Sequence, residues 1–113
     1  MITTKSRDVR LKVLSPALAY IFYKLEEFHR TFGPIDNLVI TSINDGAHGP
    51  GSRHYTDEAI DIRSKNFPSE AVKREFRMEL EAYLGPKFRV LYESAGLDNQ
   101  HFHVQVRKGM RFP

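Results

Sequence analysis

Ser52-Arg53-His54-Tyr55-Thr56-Asp57-Glu58-Ala59-Ile60-Asp61 is the stretch around which the rest of the chain is read, together with a distant partner, His101-Phe102-His103. Its end runs into an alternating segment, residues 59–63, which predicts a strand with Ala59, Asp61 and Arg63 on one face and Ile60 and Ile62 on the other. An aspartate at the centre of such a strand is costly to bury alone, and a cation offsets that cost. Histidine and carboxylate are ligand types that zinc takes from proteins, and a hydrolytic zinc has three such ligands plus a water. His54, Asp61 and one histidine of the second stretch supply three, with His48 nearby and Glu93 just ahead of the second stretch. The plainer alternatives are a buried His–Asp pair and a surface His-x-His on a strand. The combination favours a metal site.

Working outward, residues 38–42 form a compact apolar run that suits a buried strand. The segment that follows, residues 43–51, contains Asn44, Asp45, Gly46, Gly49, Pro50 and Gly51 and therefore predicts a loop, which carries His48. Residues 8–14 alternate, with Val9, Leu11 and Val13 opposite Arg10 and Lys12, and read as a short strand. Ser15-Pro16 opens a helix in which Leu18, Ile21, Phe22, Leu25, Phe28 and Phe32 form one stripe, and Gly33-Pro34 stops it. His29 lies beside that stripe and reads as a packing or surface residue.

Residues 69–84 predict a second amphipathic helix with Val72, Phe76, Leu80, Tyr83 and Leu84 inward, ended by Gly85-Pro86. Residues 87–94 alternate as a strand, 95–100 form a polar turn, and 101–107 return as a strand, giving an antiparallel hairpin. On the last strand His101, His103 and Gln105 share one face, and Phe102, Val104 and Val106 face the core. The expected fold class is α+β: one domain over residues 1–113, two helices packed on an antiparallel sheet of about four strands.

Composition narrows the chemistry. The chain has no cysteine, so disulfides, thiolate ligands and a cysteine nucleophile are excluded and a metal must use nitrogen and oxygen. The net charge of +3, from 17 basic against 14 acidic residues, comes from scattered side chains with no basic run. That pattern gives no reason to expect a nucleic-acid partner. No stretch reaches transmembrane length, and the first seven residues lack the apolar core of a signal peptide. The expectation is a monomer made in the cytoplasm.

The pattern Ser52-x-His54-x-x-Asp57-x-Ala59-x-Asp61 resembles the Ser-x-His-x-x-Gly-x-Ala-x-Asp signature of the D-alanyl-D-alanine carboxypeptidase superfamily of zinc peptidases. That superfamily includes phage endolysin peptidases and shares its fold with the hedgehog signalling domain. Leu91-Tyr92-Glu93-Ser94 followed by His101-Phe102-His103-Val104 is similar to the second half of the same site. The resemblance implies a Zn2+ held by His54, Asp61 and His103. It also implies a peptidase acting on peptidoglycan stem peptides or cross-links, as a D,D-carboxypeptidase or L,D-endopeptidase. Without an export signal, a phage or prophage lysis enzyme reaching the cell wall after release fits that reading.

Three positions depart from the family pattern. Asp57 stands for the usual glycine, and aspartate tolerates a left-handed backbone better than most residues. Ile43-Asn44-Asp45 stands where many relatives carry Gly-Tyr-Arg, whose arginine grips a substrate carboxylate; Arg53 or Arg63 are the available substitutes. Gln100 stands three residues before the last implied ligand, where many relatives place the general base, and an amide cannot take a proton. Glu93 is then the first candidate base and Asp98 the second. His48 and His101 are candidates either to stabilise an oxyanion or to support the ligands. If a base has been lost at position 100, Gln100→Glu should raise activity. The competing function is a zinc-stabilised binding domain that does not catalyse.

Overall fold

A computed structural model describes residues 2–6, 9, 15–33, 35, 37–43 and 58–112. In chain order the elements are β1 (Ile2–Thr4), α1 (Pro16–Phe32), β2 (Leu38–Ser42), β3 (Ala59–Arg63), α2 (Glu70–Leu84), β4 (Phe88–Glu93) and β5 (His101–Val106). The architecture is α+β, with a five-stranded mixed sheet in the order β1-β2-β3-β5-β4. β1 runs parallel to β2, and the other neighbours are antiparallel. Parallel neighbours need a crossover, and α1 provides it. Among the described residues no helix is long and apolar enough to cross a membrane.

Both helices begin where their caps predict. The Ser15 hydroxyl accepts from the Leu18 amide at 3.0 Å with Pro16 in the first turn, and the Ser69 hydroxyl accepts from the Val72 amide at 3.2 Å. α1 buries Ala17, Leu18, Ile21, Leu25 and Phe28; α2 buries Phe76, Leu80 and Leu84. These meet one face of the sheet, where Phe102 sits among Phe67, Phe76 and Tyr92 with ring centroids 4.8–5.2 Å apart. Strand alternation puts Ile60, Ile62, Phe88, Val90, Val104 and Val106 in the same core. The opposite face of β3, β5 and β4 carries the candidate site.

Four details differ from expectation. The sheet has a fifth strand, β1, and it is mixed. The strand expected over residues 8–14 lies outside the described residues except for Val9, which packs partly buried against the core and is not in a strand. Tyr83 is not inward: it is half-exposed and its hydroxyl donates to Glu27. Lys73, which an apolar pattern skips, is buried instead.

Candidate metal centre

Cross-strand register assembles the site. On the sheet face turned away from α1 and α2, Asp61 lies opposite His103, and His103 opposite Leu91; one row further along, Arg63 lies opposite His101, and His101 opposite Glu93. Ser42 pairs with Asp61 across a register shift in β2. Opposed Cβ atoms in such a ladder are about 5 Å apart, so two carboxylates and two imidazoles converge from three strands.

The contacts are close. His103 Nδ1 is 2.9 Å from Asp61 Oδ1, and His101 Nε2 is 3.1 Å from Glu93 Oε1. Diagonal approaches of 3.9 Å link His101 Nε2 to Asp61 Oδ2 and His103 Nδ1 to Glu93 Oε1. Side-chain exposure rises outward, from 11% and 12% for His103 and Asp61 to 25% for His101 and 44% for Glu93. The pair is floor and Glu93 is mouth.

Hydrogen bonding assigns the protons. Gln105 Nε2 donates to the Val106 carbonyl at 3.1 Å, which leaves Gln105 Oε1 to face His103 Nε2 at 2.8 Å. Both ring nitrogens of His103 therefore face acceptors, Nε2 the Gln105 oxygen and Nδ1 the Asp61 carboxylate. Burial by itself pushes the His103 pKa down. The Asp61 hydrogen bond and charge, the Gln105 acceptor and the Glu93 charge together outweigh burial and hold it above the ordinary histidine value. In His101, Nδ1 donates to the Asn99 carbonyl at 2.7 Å, which turns Nε2 toward the carboxylates.

Of the residues singled out in the sequence, the structure brings Asp61, Glu93, His101 and His103 together. His48 and His54 lie outside the described residues, as do Arg53 and Asp57. Asp98, the second candidate base, stands fully exposed in the β4–β5 turn, 3.7 Å from Lys65. Gln100 is turned the other way. Its side chain lies on the helix face, where Oε1 accepts from Lys73, Ser64 and Tyr92. A carboxylate at position 100 would meet Lys73, so Gln100→Glu is no longer expected to restore a base. Sequence reading missed the Asn99 carbonyl, which no residue type signals. It also missed Gln105 as a partner of His103, although the period-two spacing placed both on one face.

The donor chemistry of the described pair suits a zinc ion. A buried carboxylate oxygen and a ring nitrogen from adjacent strands share a proton on the atom that would bind metal, and a cation replaces that proton without leaving a bare charge. Among the described residues, the side chains close on one another and no set of three is arranged to hold a metal ion. The third implied ligand, His54, is not among them. The chain matches no family model, and no curated protein or solved structure matches it.

Proposed function

We propose that the protein is a zinc metallopeptidase of the D-alanyl-D-alanine carboxypeptidase type, with the hedgehog-like fold, that hydrolyses peptide bonds in peptidoglycan stem peptides or cross-links. A phage or prophage lysis role is part of the same reading. The observation that carries it is the buried Asp61–His103 pair, 2.9 Å apart, with a solvent-facing carboxylate, Glu93, 3.9 Å from the same ring nitrogen. His54, Asp61 and His103 would hold the ion. A zinc ion held there would supply Lewis acidity toward a peptide carbonyl and a water nucleophilic near neutral pH.

The chain's own groups supply the remaining chemistry. Glu93 is exposed enough to reach a water and a substrate, and it takes the proton and returns it to the leaving amine. His101 has its Nδ1 proton committed to Asn99, so Nε2 is the nitrogen that shares a proton with Glu93 or donates to a developing oxyanion. Gln105 fixes the His103 ring from behind.

One observation favours the second reading, a zinc-stabilised binding domain without catalysis: Gln100, at the position of the usual base, is committed to hydrogen bonds on the helix face. The deciding experiment is digestion of purified peptidoglycan with zinc-loaded protein and mass analysis of the products. Release of stem peptides or terminal D-alanine supports the peptidase, and its position in the products names the scissile bond. Intact peptides from fully zinc-loaded protein leave the binding domain as the better account.

A further inference from the structure

Lys73 is the one lysine in the buried interior of the described residues, with a side chain 10% exposed. A buried ammonium is costly unless its protons are taken up. Its Nζ donates to Glu70 Oε1 at 2.9 Å and to Gln100 Oε1 at 2.7 Å, and the Glu70 bond in particular keeps it charged against the effect of burial. The Tyr92 hydroxyl lies 3.1 Å from both Glu70 oxygens and 3.1 Å from Gln100 Oε1. Fully buried Ser64 donates to the same Gln100 oxygen at 2.9 Å.

The placement of this network is informative. Tyr92 is the residue before Glu93, and Gln100 the residue before His101. Neighbouring strand residues point to opposite faces, so each site residue has a chain neighbour tied, on the helix side, to one ion pair in the first turn of α2. The Glu93–His101 rung is the last of the β4–β5 ladder, and residues 94–100 beyond it form a long connection. That connection starts at Ser94, a non-glycine residue with φ 54°. Such a backbone persists where its surroundings hold it. The connection has hydrogen bonds of its own, from the Leu97 amide to the Ser94 carbonyl at 3.0 Å and from the Gln100 amide to the Leu97 carbonyl at 3.1 Å, and the Lys73 bond at Gln100 ties its end to α2.

We infer that Lys73 is a positioning residue for the opposite face: through Gln100 and Tyr92 it holds the mouth of the hairpin so that Glu93 Oε1 and His101 Nε2 meet. The consequence for catalysis rests on the peptidase reading, whereas the contact itself does not.

The test is NMR of the full chain, reading the nuclear Overhauser contact between the His101 ring and the Glu93 side chain, which reports whether the two meet. Wild type should show it. Lys73→Met and Gln100→Leu, with sheet amide signals retained, should weaken it several-fold or abolish it. Gln100→Glu keeps an acceptor for Lys73 and should stay near wild type. Should Lys73→Met not fold, the Gln100→Leu and Gln100→Glu pair decides. Where peptide release is measurable, Lys73→Met should lower kcat with KM little changed. A His101–Glu93 contact as strong as in wild type in folded Lys73→Met or Gln100→Leu would overturn the proposal. A wild type that releases no peptide would sink the peptidase reading alone, because the contact is read without substrate.

Discussion

At the scale of single residues, the Asp61–His103 pair determines how the metal-free protein responds to pH. The His103 pKa is raised in the folded state above its ordinary 6.5. Its contribution to stability is thus fully present below that ordinary value and is lost as pH rises through the higher folded one. Denaturant unfolding with chelator present should show wild type losing stability, relative to Asp61→Asn, as pH rises above the ordinary histidine value of 6.5. At the acid end Asp61→Asn should cost about 1–3 kcal/mol, the scale for losing a hydrogen bond to a charged group. A wild-type minus mutant difference that grows with pH would contradict the pairing. Glu93→Gln should keep fold and zinc yet lower peptide release about a hundredfold or more. Asp98→Asn, at a fully exposed position, should change release little. A reversed order would move the base to Asp98.

At the scale of elements, the caps and the aromatic core are separable from the site. Ser69→Ala removes the acceptor for the Val72 amide and should cost about 1 kcal/mol. Phe76→Ala opens a cavity among Phe28, Phe67 and Phe102 and should cost about 3–5 kcal/mol in denaturant unfolding. Both should leave zinc binding at native temperature unchanged, since both lie on the helix side of the sheet. Much of this layer was legible in the sequence. α1, β2, β3 and β5 announce themselves through caps, stop signals and alternation long enough to show a period. β1 does not, because three residues cannot display a period of two and its pairing is set by β2 from outside. Tyr83 reads as inward and Lys73 passes unnoticed in the sequence for a shared reason. Residue type stands in for burial in a pattern, yet a tyrosine can keep its hydroxyl wet and a lysine can be buried when Glu70 and Gln100 take its protons.

At the scale of the whole molecule, one sheet separates two polar systems: the Asp61, Glu93, His101 and His103 cluster on one face, and the Lys73 network under α2 on the other. Sequence spacing placed Asp61 and His103 on facing sides of their strands, but it could not show that β3 and β5 are neighbours in register. That pairing depends on long-range strand order, which no local pattern encodes. The same gap explains Gln100, whose position in the motif suggested the site and whose strand parity turns it to the helices. The proposed chemistry depends on the metal, and metal content is the most direct measurement of it. Wild-type protein dialysed against zinc and analysed for metal should hold one ion per chain. His54→Ala, Asp61→Ala and His103→Ala, each folded, should hold none, and His29→Ala should hold as much as wild type. Chelator should lower the melting temperature of wild type, because the ion binds the folded form alone. Full zinc in any of the three ligand variants, or a melting curve indifferent to chelator, would contradict the account.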